Sequence, residues 1–374
     1  MLCQEIASHC SDEVKVTSQY FKREFQLSYQ PVVSLENRCL HSFEAFVCWQ
    51  PDRAALYAPD VQALIKQSQL DVPFHHWVLY EACQQMQFWK ANCLTDMSLF
   101  VSLNVSAKQL FSSSLIEIIT RTLDETGLAP AHLQLEIPVR WIMQNWQIAS
   151  STIVRLKRIG VSICIDDFDF SQTASKCLDA LPIDTLKIDI ACVHRQISDR
   201  RSKDALYRNI AFAFEKHIQL ISKGIETVTH LAPAKAFGFT YGQGDLLSQP
   251  LISQRATSII ATYAEQQQKK LRAYLSAMNT LSQFAQHLLG KLLVVKYWQE
   301  TRPDTPWLAL IEPYAAQVLT EEFEQYRYLD IEQEQDLLQW THEFIQRCSQ
   351  IIRGFTKLLT RADINLAEKR LLSL

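Results

Sequence analysis

The chain has 374 residues, 48% hydrophobic and 21% charged, near globular averages, which excludes wholesale disorder and a coiled-coil rod. Its net charge of −3 excludes retention on nucleic acid or anionic membrane by bulk electrostatics. Only 8 glycines occur, and they form neither a Walker loop nor G-x-G-x-x-G, so a glycine-rich phosphate cradle is excluded too. The ten cysteines, at 3, 10, 39, 48, 83, 93, 164, 177, 192 and 348, include no C-x-x-C pair. Their scatter predicts reduced, mostly buried thiols rather than a zinc ribbon or a redox motif. The first residues, MLCQEIASHCSDEVK, carry acids and lack the apolar core of a signal peptide. The longest apolar runs, such as LLVVKYW at 292–298, are far shorter than the ~18 residues that cross a bilayer. The expectation is a soluble, cytoplasmic protein with no membrane span and no nucleic-acid signature.

After an N-terminal segment, residues 1–24, short β-rich runs alternate with amphipathic stretches. The expected strands are 27–33, 39–49, 98–105, 132–137, 161–167, 185–190, 218–223 and 239–243. Helical patterns such as 58–69 and 150–160 lie between them. Alternation at this spacing predicts parallel strands joined by crossover helices. Seven or eight units over 25–255 suit a TIM-type (β/α)8 barrel, with a doubly wound sheet as the alternative on pattern alone. Beyond Pro250 the character changes. Residues 257–293 read as one long helix, TRPDTP at 301–306 as a turn, and 307–328 and 331–361 as further helices. An all-α domain is expected over 256–374. Its acidic stretch, 321–336, reads as a solvated helix face.

In a parallel barrel, chemistry collects where strands end. The expected strand ends carry Glu44, Asn104, Glu136, Asp166, Asp167, Lys187 and Gln243. Each alone reads as a solvated terminus. Together they describe an oxygen-rich pocket suited to Mg²⁺ or Mn²⁺, with an ammonium alongside.

Those residues sit in FEAF (43–46), SLNVS (102–106), LQLEI (133–137), IDDFDF (165–170), LKID (186–189), KGIET (223–227) and QGD (243–245), after YQPVVSL at 29–35. In that order the motifs resemble the EAL domain family. The resemblance covers roughly 25–250 and implies a (β/α)8 barrel that binds cyclic di-GMP. Active members hydrolyse it to linear pGpG with two divalent metals. By that resemblance Glu44, Asn104, Glu136, Asp166 and Asp167 match metal ligands. Lys187 matches the lysine beside the attacking water. Gln243 matches a late glutamine of the ligand and metal shell, and Glu226 the second acid of E-G-V-E.

The departures are equally specific. The leucine of E-A-L is Phe46, and the arginine two residues later, which contacts ligand in the family, is Cys48. The first acid of E-G-V-E is Lys223, and the loop D-D-F-G-T-G becomes Asp166-Asp167-Phe168-Asp169-Phe170-Ser171, without either glycine. E-L-T-E becomes Glu136-Ile137-Pro138-Val139. A family-like pocket would hold five carboxylates and one lysine, net −4; here four carboxylates face two lysines, net −2. Two unit charges ~4 Å apart interact by about 4 kcal/mol at an effective dielectric near 20. An ammonium in a metal ligand's place is therefore strongly repulsive to that metal. No cofactor is expected, or at most one Mg²⁺ or Mn²⁺ at a residual single site. Three readings follow: a degenerate barrel that works through an unknown protein partner, a non-hydrolysing cyclic di-GMP receptor, or an active phosphodiesterase. A homodimer fits any of them.

Overall fold

The computed structural model describes residues 21–22, 25–49, 56–57, 71–92, 99–197, 200–310 and 331–361. The described residues form two compact units, the first running up to 259 and the second from 260 onward. The division falls at 259/260, inside a helix, where the composition change suggested 255/256. The amphipathic stretch 58–69 and most of the N-terminal segment lie outside the described residues, as do 311–330 with most of the acidic run.

The first unit is built on β1 (Phe25–Ser34), β2 (Leu40–Trp49), β3 (Leu56–Tyr57), β4 (Phe100–Asn104), β5 (Leu133–Pro138), β6 (Ser162–Asp166), β7 (Thr185–Asp189), β8 (Gln219–Lys223), β9 (Tyr241–Gly242) and β10 (Leu251–Ile252). Eight of them close a ring in the order β1-β2-β4-β5-β6-β7-β8-β9 and back to β1. From β2 through β9 the ring neighbours pair in parallel, whereas β1 is antiparallel to both β2 and β9. The short β3 and β10 attach to β2 and β1. The eight expected strands all form, and their ends differ from expectation by two residues at most.

The helices of this unit are α1 (Asp71–Asn92), α2 (Ala107–Leu110), α3 (Leu115–Thr126), α4 (Val139–Gln144), α5 (Trp146–Arg158), α6 (Gln172–Ala180), α7 (Ile190–Ile197), α8 (Arg200–Glu215) and α9 (Val228–Ala236). Covered strands should be apolar on both faces. All six residues of β5 are buried, and Ile163, Ile165, Leu186 and Ile188 of β6 and β7 are too. Local chemistry sets the helix ends. Asn145 caps α5 by accepting from Ile148 N, and α3 stops at Gly127 in the left-handed region (φ 68°). Lys157 in the last turn of α5 reaches Asp184 at 2.7 Å, and Asp184 accepts Ile163 N at 2.7 Å, fastening that helix to β6.

The second unit holds the greater part of α10 (Ser253–Leu289), then α11 (Lys291–Glu300), α12 (Ile331–Ile351) and α13 (Phe355–Arg361). Its core stacks Trp298 on Phe344 at 3.7 Å, with Trp340 donating to the Trp298 carbonyl at 2.8 Å. Every described element here is helical. The expected single helix over 257–293 instead breaks at Gly290 (φ 77°), and 331–361 breaks at Gly354 (φ 81°). Glycine takes that conformation freely, so both patterns end in a corner rather than continuing. The 307–328 stretch is described only to 310, where Leu308–Leu310 form one 3₁₀ turn. Among the described residues the cysteines form no disulfide, and most of them are buried.

At the end of the barrel where the parallel strands begin, the partly buried His41 stacks on Tyr241 (3.6 Å, 14°) and meets Phe100 edge-on. Burial holds the His41 imidazole down from 6.5 to about 4, against a side-chain hydrogen bond with Gln219 that favours the protonated ring. Below pH 6.5 the unfolded chain takes up a proton that the folded state refuses until about pH 4, so stability falls as pH drops through that window. Above pH 6.5 this penalty is absent. The expected loss is about 3 kcal/mol by pH 4, and His41→Phe should flatten that part of a denaturation profile measured from pH 7 to 4. An unchanged profile in the variant would assign the acid sensitivity elsewhere.

Candidate functional site at the barrel mouth

Parallel register brings the strand ends to one level. Glu44 pairs with Ser102, Asn104 with Glu136, and Pro138 with Asp166. Side chains alternate along a strand, so Glu44, Glu136 and Lys187 project together into the barrel. The ammonium of Lys187, only 1% exposed, donates to Glu44 Oε2 at 2.7 Å and Glu136 Oε1 at 2.5 Å. Ser102 also donates to Glu136 Oε1, at 2.5 Å. Asn104 Nδ2 donates to Glu44 Oε1 at 2.6 Å, and Gln243 Nε2 donates to Glu44 Oε2 at 2.8 Å and Gln30 Oε1 at 3.0 Å.

One ammonium thus serves two buried carboxylates, and it favours them unequally. Burial, then the Glu44 carboxylate, pushes the Glu136 carboxyl up to about 7 against the pull of Lys187. Burial also opposes the charge on Glu44, yet Lys187, Gln243 and Asn104 hold it below the usual carboxylate range. Burial would discharge Lys187, but Glu136 and Glu44 hold it above an ordinary lysine. Two buried acceptors, Glu136 Oε2 and Gln243 Oε1, have no partner.

A second cluster lies nearer solvent. Lys223, the last residue of β8, donates to both oxygens of Asp166 at 2.7 and 2.8 Å and to Asp167 Oδ1 at 2.6 Å. Arg140 Nη1 takes Asp167 Oδ2 at 2.5 Å while lying over the Trp141 ring. Despite its partial burial, Asp167 is held below the usual carboxylate range by Lys223 and Arg140. Lys223 is held above the ordinary lysine value by the two aspartates, against burial. Both oxygens of Glu44, Asp166 and Asp167 are therefore engaged by protein donors.

The other residues singled out in the sequence are more dispersed. Phe46 lies two residues along β2 from Glu44 and is half-buried. Cys48 is buried, with Sγ 3.2 Å from Ser28 Oγ, and burial pushes its thiol up. Glu226 is exposed in the loop before α9, where its backbone N–H meets His230 Nδ1 at 3.3 Å. In the QGD motif, Gly244 (φ 150°) lies so close to Ile225 that a Cβ would fall 2.4 Å from its backbone.

The loop after Asp166 is rebuilt. Positive φ falls on Asp167 (52°) and Phe170 (60°), not on 169 or 171. Phe170 is buried and edge-on to Phe168 at 5.3 Å, which holds it in a conformation that costs an ordinary residue roughly 1–2 kcal/mol. Ser171 caps α6 by accepting from Ala174 N at 3.1 Å, and Asp169 Oδ1 accepts Ser171 N at 3.0 Å. Of these site residues, Arg140, Ser102 and Gln30 were not anticipated. The only available signal for Arg140 was its place in the first turn of α4, beside the end of β6.

Comparison with known proteins bears on the same region. The EAL domain profile matches residues 16–250, more than half of the chain. The cyclic di-GMP phosphodiesterase NbdA of Pseudomonas aeruginosa is 29% identical over 229 residues, 61% of this chain and 29% of that protein. The bifunctional diguanylate cyclase/cyclic di-GMP phosphodiesterase MucR of the same organism is 27% identical over 241 residues, 64% of this chain and 35% of that protein. The chain spans about a third of the length of these curated relatives. Among solved structures, the PaMucR phosphodiesterase in complex with c-di-GMP matches with a TM-score of 0.58 and 26% identity, over 64% of this chain and 97% of that one. No described helix is long and apolar enough to cross a membrane. An eight-stranded barrel with an antiparallel first strand, ordered motifs at its strand ends and a profile match over 16–250 carry one conclusion: the chain belongs to the EAL domain family.

Proposed function

We propose that this chain is a regulatory member of the EAL domain family that does not hydrolyse cyclic di-GMP and acts by binding a protein partner. The observation that carries the reading is Lys223, whose ammonium spans Asp166 and Asp167 where the family would offer carboxylates to a metal. With Lys187 and Arg140, three cations face the four carboxylates Glu44, Glu136, Asp166 and Asp167. A pair of divalent cations needs several open oxygen donors around each ion. Glu136 Oε2 and Gln243 Oε1 are the unpartnered buried oxygens of this set, and two such atoms do not make a two-metal centre. The donor set does not fit the metal pair that family chemistry uses. Hydrolysis therefore has no route through these residues, and binding is the output left to the fold.

A second reading rests on those two orphaned acceptors. Buried acceptors without a protein partner suit hydrogen-bond donors such as a guanine edge once a ligand opens the site, so cyclic di-GMP as a regulatory ligand is the alternative. Calorimetry with cyclic di-GMP, with and without Mg²⁺, separates the readings. The partner-binding protein gives no heat in either titration. A receptor gives heat that does not depend on Mg²⁺. An enzyme gives Mg²⁺-dependent heat with turnover, which would sink the proposal.

A further inference from the structure

The whole-chain charge of −3 conceals a strongly basic corner in the helical unit. Residues 284–299 and 344–361 together contain six lysines and arginines and no acid. The fold brings these segments together. Phe284 of α10 meets Phe355, the first residue of α13, at 5.8 Å, and Arg347 lies over Tyr297 at 5.0 Å. Each segment turns at a glycine with positive φ, Gly290 and Gly354, whose missing Cβ would meet no atom within 4 Å. Both turns stand open to solvent.

Large aliphatic side chains flank both turns. Leu292 is 88% exposed and Ile351 58%, with Leu288 at 45% and Leu358 at 42%. One exposed leucine is ordinary, but several large aliphatic side chains exposed beside two turns are the kind of group that marks an interaction site. Lys291, Arg353 and Lys357 beside them are exposed, and none of them forms an ion pair among the described residues. Nearby, Lys296 and Arg347 share the single carboxylate of Glu300.

We propose that this corner docks the protein on anionic lipid surfaces. Exposed aliphatic side chains beside two turns, with ammonium and guanidinium groups near them that form no ion pair among the described residues, match the headgroup–acyl boundary. The leucines enter the acyl edge while the cations meet lipid phosphates. A protein partner would be better served by a groove or a flat face than by a projecting leucine. The inference does not depend on the state of the barrel site, so its failure and that of the proposed function are separate results.

The test is vesicle flotation of the full chain. The wild type is expected to float with phosphatidylcholine vesicles containing about a quarter phosphatidylglycerol at low salt, and far less with phosphatidylcholine alone. Each basic residue near an anionic surface is worth about fivefold in affinity, so Lys291→Gln with Lys357→Gln should weaken binding about 25-fold. Leu292→Ser should weaken it several-fold, and circular dichroism should show both variants folded, since the altered side chains are exposed. Three outcomes would overturn the inference. The wild type does not float with the anionic vesicles, or the variants float as well as the wild type. In the third, light scattering shows a dimer that Leu292→Ser dissolves, which gives the corner to a second copy of the chain.

Discussion

Incubated with cyclic di-GMP and Mg²⁺ or Mn²⁺, the purified protein is expected to release pGpG no faster than buffer. Two-metal phosphodiester cleavage needs both ions about 3.5–4 Å apart, one to activate water and one to stabilise the leaving oxygen. Here Asp166 gives both oxygens to Lys223, and Asp167 gives one to Lys223 and one to Arg140. A metal entering that place must break these pairs and then bear an ammonium at close range. Loss of one stabilising group commonly costs roughly 10²–10³ in rate, and this site has also lost the loop glycines. Lys223→Glu should free Asp166 and raise Mg²⁺-dependent binding before any turnover appears. Adding Asp169→Gly and Ser171→Gly should help further, at the cost of the Ser171 cap on α6, a few tenths of a kcal/mol. Hydrolysis by the unaltered chain at an ordinary enzyme rate, roughly 1 s⁻¹ or more, would refute the charge argument.

Lys223 shows what a single sequence can say about such a site. The strand-end reading passes over it, and only the order of the motifs, which sets it in place of the first acid of E-G-V-E, marks it out and puts the aspartates in the same pocket. Arg140 was a different matter. It lies four residues after Glu136 and reaches Asp167 only because parallel pairing of β5 and β6 sets Pro138 opposite Asp166. That pairing is a property of the folded sheet, not of local pattern. The loop repeats the lesson. The sequence shows that 169 and 171 are not glycine, but not that the left-handed positions fall on Asp167 and Phe170, where burial of the Phe170 ring supports the conformation. Gly290 and Gly354 were read through as helix because one glycine costs a helix only about 1 kcal/mol relative to alanine. Only the path of the chain shows that both are corners.

Replacing Lys187 is expected to be the most destabilising single change at the mouth. Lys187→Met keeps much of the side chain's volume but leaves Glu44 and Glu136 buried without their ammonium. Breaking a buried ion pair from one side typically costs 3–5 kcal/mol, because the orphaned charge remains in a poor solvent. For a unit of this size each kcal/mol lowers the melting temperature by roughly 2–4 °C, so the variant should melt about 10 °C below the wild type. A double-mutant cycle separates charge from packing. Glu136→Gln alone also costs stability, since Lys187 then keeps only Glu44 as a charged partner. In Lys187→Met with Glu136→Gln, the penalty should fall well short of the sum, by about 2 kcal/mol or more, since only Glu44 is then stranded and Asn104 and Gln243 still donate to it. Strict additivity would mean that Lys187 merely fills space between β2, β5 and β7. A clear shortfall would identify it as the cation on which the buried carboxylates of this barrel depend.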